Sequence, residues 1–211
     1  GGERAQVLFT SPPYAQQRDY TSASDLSDWD GLMQGAFGAA IYADDCQVLV
    51  NLGLVHRDGE WWPYWDGWIE WMRQQGWRRF GWYVWDQGFG LPGDWNGRLA
   101  PSFEFVFHFN RFPVMPSKWV QKQPENIHGR RKGESTMRDR NGKTKQFTSP
   151  EASSQPTKIS DAVIRVNRQV GSDGHPAQFS IGFAESVVRS WHGMVYEPFS
   201  GSGTTLIACH N

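Results

Sequence analysis

Cysteine is nearly absent from this 211-residue chain, which holds only Cys46 and Cys209. One pair cannot staple a small scaffold, and the scarcity fits a reducing compartment. Long apolar runs are missing as well, and none approaches the ~18 residues needed to cross a bilayer. The N-terminus, Gly1-Gly2-Glu3-Arg4, lacks the basic-then-apolar pattern of a secretory signal. The six histidines are scattered, and no pair has ligand spacing with a cysteine or carboxylate, so no metal site is expected. Internal repeats are absent too. Membrane spans, disulfide scaffolds and collagen-like chains are thereby excluded. What remains is a globular, somewhat polar chain, 38% hydrophobic and 20% charged, with room for one domain or one domain plus an insertion.

The net charge of -1 hides an asymmetry. Residues 1–117 carry 8 Lys and Arg against 14 Asp and Glu, whereas residues 118–211 carry 13 against 8. Most of the basic excess is Lys118, Lys122, Arg130, Arg131, Lys132, Arg138, Arg140, Lys143 and Lys145. Such a run is either a solvated loop or a surface whose cations displace counterions from nucleic-acid phosphates.

Strand patterns cover Gln6–Thr10, Cys46–Leu52, Trp77–Trp85 and Phe103–Phe109, with Gly193–Glu197 as a buried one. Ala36–Ala43 reads as part of a helix. Trp61, Trp65, Trp68 and Met72 fall on one helical stripe ended by Gly76, and Ser180–Ser190 and Leu206–Asn211 read as further helices. Nine of the twelve tryptophans lie between Trp61 and Trp95, and at that spacing they read as core. From 112 to 174 the periodicity fades into an irregular, basic stretch with a turn at Asn141-Gly142. Strands alternating with helices argue for an α/β layered fold with a mostly parallel sheet.

Two motifs carry chemistry. Ser11-Pro12-Pro13-Tyr14 follows the first strand, where α/β sheets place ligands. A Ser hydroxyl and the Pro12 carbonyl can both accept hydrogen bonds from an exocyclic amine. Such an amine is conjugated with its ring and is a poor nucleophile; two acceptors hold its hydrogens out of plane and aim its lone pair at an electrophile. The prolines fix the backbone, and Tyr14 offers a face for an extruded base. The same residues also suit a plain strand-ending turn with a surface tyrosine. Glu197-Pro198-Phe199-Ser200-Gly201-Ser202-Gly203-Thr204-Thr205 is a strand, a glycine turn and a helix start, so a ligand can approach its backbone closely. It lacks the Gly-Lys-Ser/Thr ending of a P-loop, and Leu206 replaces the third glycine of the dinucleotide fingerprint.

Together the two motifs resemble those of the amino-methylating DNA methyltransferases, which use S-adenosyl-L-methionine. The order, catalytic motif first and glycine motif near the end, is similar to the permuted β group of that family. Leu49–Glu60 resembles the strand and loop after the catalytic motif, and His175-Pro176-Ala177-Gln178-Phe179 the segment that lines the cofactor pocket. The resemblance implies a three-layer Rossmann-like sheet in circularly permuted order, with an inserted target-recognition segment. Residues 1–111 would form the catalytic half, 112–174 the insertion and 175–211 the cofactor-binding part.

Residue by residue, it implies that Ser11, Pro12, Pro13 and Tyr14 orient the target amine. Glu197, Phe199, Gly201, Ser202, Gly203 and Thr204 would hold the cofactor, with His175 and Phe179 at its methionine end. The nine cations named above would contact double-stranded DNA. Direct transfer to nitrogen needs neither a cysteine nucleophile nor a metal. Ser at the first motif position favours cytosine N4 over adenine N6. The resemblance further implies base flipping, a role in DNA modification of the restriction–modification kind, and a cytoplasmic enzyme of bacterial or phage type; a homodimer stays open. In the family a further strand after the glycine loop ends in an acid that binds the ribose hydroxyls, and Asn211 precedes any such strand. A fragment or a silent DNA-binding remnant is therefore the competing expectation. Methylation of RNA or protein is disfavoured, because such enzymes usually begin the motif with Asn and place the glycine loop before it.

Overall fold

The first strand, β1 (Ala5–Thr10), stops at Ser11 because neither of the next two prolines can donate to a ladder. The structure is a computed structural model that describes residues 3–14, 26–90, 92–93, 95–123, 133–149, 155–168 and 179–211. After β1 come α1 (Leu26–Ala39), β2 (Tyr42–Leu52), β3 (Val55–Arg57), β4 (Glu60–Trp62), α2 (Asp66–Gln74), β5 (Arg78–Asp86) and β6 (Phe103–Asn110). Next are β7 (Val120–Gln121), β8 (Gly133–Arg138), β9 (Thr144–Ser149) and β10 (Thr157–Lys158). The chain ends with β11 (Val163–Arg165), α3 (Ile181–Val188), β12 (Val195–Tyr196) and α4 (Thr204–His210). Residues 1–117 with 161–211 form one compact unit and residues 118–160 another.

The first unit is built on a six-stranded sheet in the order β11-β5-β6-β2-β1-β12. β1 runs parallel to both β2 and β12, while β6 is antiparallel to β2 and β5. Both faces are covered, which is why β1 and β2 read as continuous apolar runs. On one side Leu8, Val48, Val50 and Phe109 pack with Trp29, Met33 and Phe37 of α1 and Trp68, Ile69 and Met72 of α2. On the other, Val7, Phe9, Leu49, Trp85 and Val106 meet Phe183, Ala184 and Val187 of α3 and Ala208 of α4. Trp85 and Phe183 stack with centroids 4.3 Å apart. The result is the expected three-layer α/β architecture. Among the described residues no helix is long and apolar enough to cross a membrane.

Three local readings change, and the first is Gly193–Glu197, which is not a buried strand: β12 spans only Val195–Tyr196, half-buried at Val195 and exposed at Tyr196. The helix expected at Ala36–Ala43 ends at Ala39, and Tyr42 and Ala43 belong to β2. Pairing decides this: Tyr42 sits opposite Ala5, whose N–H donates to the Ile41 carbonyl at 2.8 Å. Trp61 leaves the tryptophan stripe, because Pro63 stands before the helix and α2 starts only at Asp66. It lies instead on the β3–β4 hairpin, 60% exposed, while Trp65, Trp68 and Met72 are buried as core. The hairpin turn needs left-handed backbone at two positions, which Asp58 (φ 53°) and Gly59 (φ 83°) supply.

In the second unit β7 pairs with β10, and β8 with β9, both antiparallel. These pairs, with β11 in the main sheet, are order within a stretch whose sequence lacks periodicity.

Candidate active site

Ser11 stands at the C-terminal end of β1, half-buried, with Pro12 buried behind it. The turn is held from below by Trp29, whose indole N–H donates to the Pro13 carbonyl at 2.7 Å. Tyr14 is held by its ring and by its hydroxyl. A Cβ at Gly53 would come within 2.7 Å of the ring, so only glycine there leaves it room. The hydroxyl donates to Glu104 Oε2 at 2.6 Å. Asn51 Nδ2 donates to the same carboxylate oxygen at 2.6 Å and lies 3.2 Å from Tyr14 Oη and 3.4 Å from Ser11 Oγ. Burial, then the Glu104 charge, hold the Tyr14 phenol well above its ordinary pKa, and the Ser11 hydroxyl beside it acts in the opposite sense. Tyr14 is therefore a neutral donor. Asn51 on β2 and Glu104 on β6 are the partners that motif reading misses.

β12 lies beside β1 in parallel, with Val195 opposite Val7 and Tyr196 opposite Leu8. Both strands thus release their chains at the same edge of the sheet, the edge where open α/β sheets bind ligands. After β12 the loop turns through Gly201 (φ 49°) and Gly203 (φ 77°), with Gly203 N–H donating to the Ser200 carbonyl at 2.7 Å. The Ser202 and Thr204 hydroxyls lie 3.1 Å apart. Phe199 packs against the α1–α2 core, and Phe179 sits 5.5 Å from Phe9 on the opposite face. His175 lies outside the described residues.

Beneath this loop, buried polar atoms are left over. The Glu197 carboxylate and the Thr10 and Thr205 hydroxyls are buried close to one another, with no well-formed hydrogen bond to any of them. Burial pushes the Glu197 carboxyl up to about 7, and the nearby Thr205 and Thr10 hydroxyls offset only part of that. Groups of this kind normally have a partner. Unsatisfied acceptors below a glycine-lined loop fit a cofactor that brings positive charge and donors.

The antiparallel pair β8–β9 carries the other predicted contacts. Asp139 Oδ1 accepts from the backbone N–H groups of Asn141 (2.9 Å) and Lys143 (3.0 Å), which closes the turn at Gly142. That turn gathers Arg138, Arg140, Lys143 and Lys145 at one exposed tip. Lys118 is exposed and donates to Gln155 Oε1 at 2.6 Å, and Lys122 is half-buried. Arg130, Arg131 and Lys132 lie outside the described residues.

The sequence from 5 to 211 matches the family model of the N6/N4 DNA methylases. The chain belongs to this DNA methylase family. Members of the family are S-adenosyl-L-methionine-dependent methyltransferases. Among solved structures, the methylase is similar to PvuII DNA methyltransferase, a cytosine-N4-specific enzyme, with TM-score 0.63 at 15% identity over 99% of this chain and 72% of that one. It also resembles the M1.HpyAVI complex with S-adenosyl-L-methionine (TM-score 0.52, 16% identity, 99% and 78% covered). A third likeness is to a proposed DNA modification methylase from Thermus thermophilus complexed with S-adenosyl-L-methionine (TM-score 0.53, 19% identity, 97% and 76% covered). At these identities the likeness carries the fold, which is the Rossmann-like methyltransferase sheet. No curated protein matches the sequence. One further feature suits a methylase that acts directly on nitrogen. Cys46 is buried and its thiol is pushed up to about 12, so it is no nucleophile. Among the described residues no cluster of His, Cys, Asp or Glu could hold a metal.

Proposed function

We propose that this methylase transfers a methyl group to the exocyclic amine of a base extruded from double-stranded DNA, with cytosine N4 favoured over adenine N6. The observation that carries the reading is the parallel pairing of β1 with β12, because it sets Ser11 and the Glu197–Thr205 loop at one sheet edge. Bound S-adenosyl-L-methionine supplies an activated methyl group. Glu197, Phe199, Gly201, Ser202, Gly203 and Thr204, with Phe179 and His175, are the residues assigned to hold it. Ser11 Oγ and the Pro12 carbonyl accept from the target amine and hold its lone pair toward the incoming methyl. Tyr14, fixed through Glu104 and Gly53, forms one wall for the extruded base, whose unstacking costs a few kcal/mol. Catalytic motif before glycine motif supports the permuted arrangement. The preference for cytosine N4 rests on Ser11 and is supported by the likeness to the cytosine-N4-specific PvuII enzyme.

The test is transfer of labelled methyl to mixed-sequence duplex DNA, followed by nucleoside mass spectrometry. N4-methylcytosine is the expected product. N6-methyladenine would reverse the choice of base, and no modified nucleoside would favour a silent DNA-binding chain.

The hairpin tip is assigned to the phosphate backbone. Neutralising Arg138, Arg140, Lys143 and Lys145 together should lower the slope of log affinity against log salt by about three to four, at about 0.9 per lost contact. An unchanged slope in a fluorescence titration would remove the hairpin from the DNA interface.

A further inference from the structure

Glu104 is a carboxylate in a strand of phenylalanines, and its oxygen takes two hydrogen bonds from groups that line the Ser11 turn. A surface charge or a simple brace would not need both. We propose that Glu104 is the terminal proton acceptor of the amine site, linked to Ser11 through the Tyr14 hydroxyl. The inference rests on the amine-methylating reading given above.

The proton that must leave defines the need. When the amine lone pair bonds to the methyl carbon, the nitrogen becomes a cation and one N–H bond must break, its electron pair staying on nitrogen. Around Ser11 the Pro12 carbonyl and the Asn51 amide are far weaker bases than a carboxylate, and Glu104 is the carboxylate hydrogen-bonded to these groups. The order of donors fits a relay: Tyr14 O–H donates to Glu104 Oε2, Tyr14 Oη accepts from Asn51 Nδ2 and keeps a second lone pair, and the Ser11 hydroxyl lies beside it, 3.4 Å from the same amide nitrogen. The amine proton goes to Ser11 Oγ as the proton of Ser11 moves to Tyr14 Oη and that of Tyr14 to Glu104 Oε2. Ser11 and Tyr14 end neutral, Glu104 ends as a neutral acid, and it returns the proton to water after product leaves. Asn51 Nδ2 donates to the same oxygen and keeps the carboxylate in line. Glu104 acts through Tyr14 and so is a positioning residue in the ground state.

Glu104→Gln keeps the size and one acceptor oxygen but removes the charge and the site for the proton. In single-turnover transfer to mixed-sequence duplex DNA, it should lose at least about tenfold in rate. Its dissociation constants for S-adenosyl-L-methionine and DNA should stay within twofold of the parent. Tyr14→Phe should show a loss of similar size, and the double variant should be no slower than the worse single one, since both cut one chain. As an independent readout, NMR titration of 13Cζ-labelled tyrosine should show Tyr14 ionising at lower pH in Glu104→Gln. A Glu104→Gln rate within twofold of an active parent overturns the relay. So does a multiplicative double variant, or an unchanged Tyr14 titration. A parent that methylates no base instead overturns the amine-methylating reading itself, and the relay with it.

Discussion

Ser11→Ala should reduce methyl transfer by at least 10²-fold while leaving S-adenosyl-L-methionine affinity within about twofold, an effect of the size typical when a transition-state hydrogen-bond partner is lost. Ser11 Oγ lies at the end of β1, 3.4 Å from Asn51 Nδ2, and is held by a turn that Trp29 and the prolines fix. Removing one oxygen there changes no core contact, since Ser11 is half-buried and Pro12 and Trp29 keep the turn. The buried Glu197 carboxylate, with the Thr10 and Thr205 hydroxyls near it, is untouched. Alanine leaves the Pro12 carbonyl as the sole acceptor of the pair, so the amine can rotate back into conjugation with its ring. Calorimetry with the cofactor and single-turnover transfer on the same sample separate the two effects. A loss of cofactor binding in Ser11→Ala would show that the hydroxyl serves the cofactor rather than the amine.

Much of this site was legible because its signals are local. Two prolines end a strand wherever they occur, and a glycine turn between a strand and a helix announces a close ligand approach. The alternation of Phe103, Phe105, Phe107 and Phe109 marks β6 without any partner. What escaped depends on pairing across distance. Tyr42 reads as helical until Ala5 appears opposite it. Trp61 continues a helical stripe until the chain folds back at Asp58 and Gly59. Glu104 and Asn51 are 53 residues apart in sequence, so no spacing rule joins them. A signal did exist: a carboxylate set between phenylalanines of a strand must find a partner if that face is covered. Its neighbours on the same face obey the same rule. Buried His108 donates from Nε2 to Gln47 Oε1 (3.0 Å) and accepts at Nδ1 from the Tyr83 hydroxyl (2.8 Å), and Asn110 donates to the same Gln47 oxygen at 3.0 Å. Polar residues of β6 thus mark where strands β2 and β5 stand beside it.

Glu197 makes the second large effect a dependence on pH. Its carboxyl, ordinarily near 4.5, is pushed up to about 7 by burial, and Thr205, Thr10 and the Cys209 thiol are the groups around it. A cofactor that carries an ammonium and a sulfonium favours the ionised form, so binding below that value must expel a proton. Affinity for S-adenosyl-L-methionine should therefore rise about tenfold per pH unit well below 7 and level off above about 8. Glu197→Gln should abolish that dependence and weaken binding at pH 8 by roughly 10- to 100-fold, the scale of a hydrogen bond to a charged group. The free protein should respond with the opposite sign. A carboxyl whose folded value lies above its unfolded one favours folding fully below about pH 4.5, and that contribution is lost as pH rises through about 7. Glu197→Gln removes the loss, so the ligand-free variant should be more stable than the parent at pH 8, by up to about 3 kcal/mol. Tighter folding together with weaker cofactor binding is a pair of changes that a packing defect cannot produce, since a defect lowers both. Urea unfolding and calorimetry at pH 6 and 8 read the two signs directly, and a variant that is less stable in both conditions would mean that Glu197 is braced by the protein and not held for a cation.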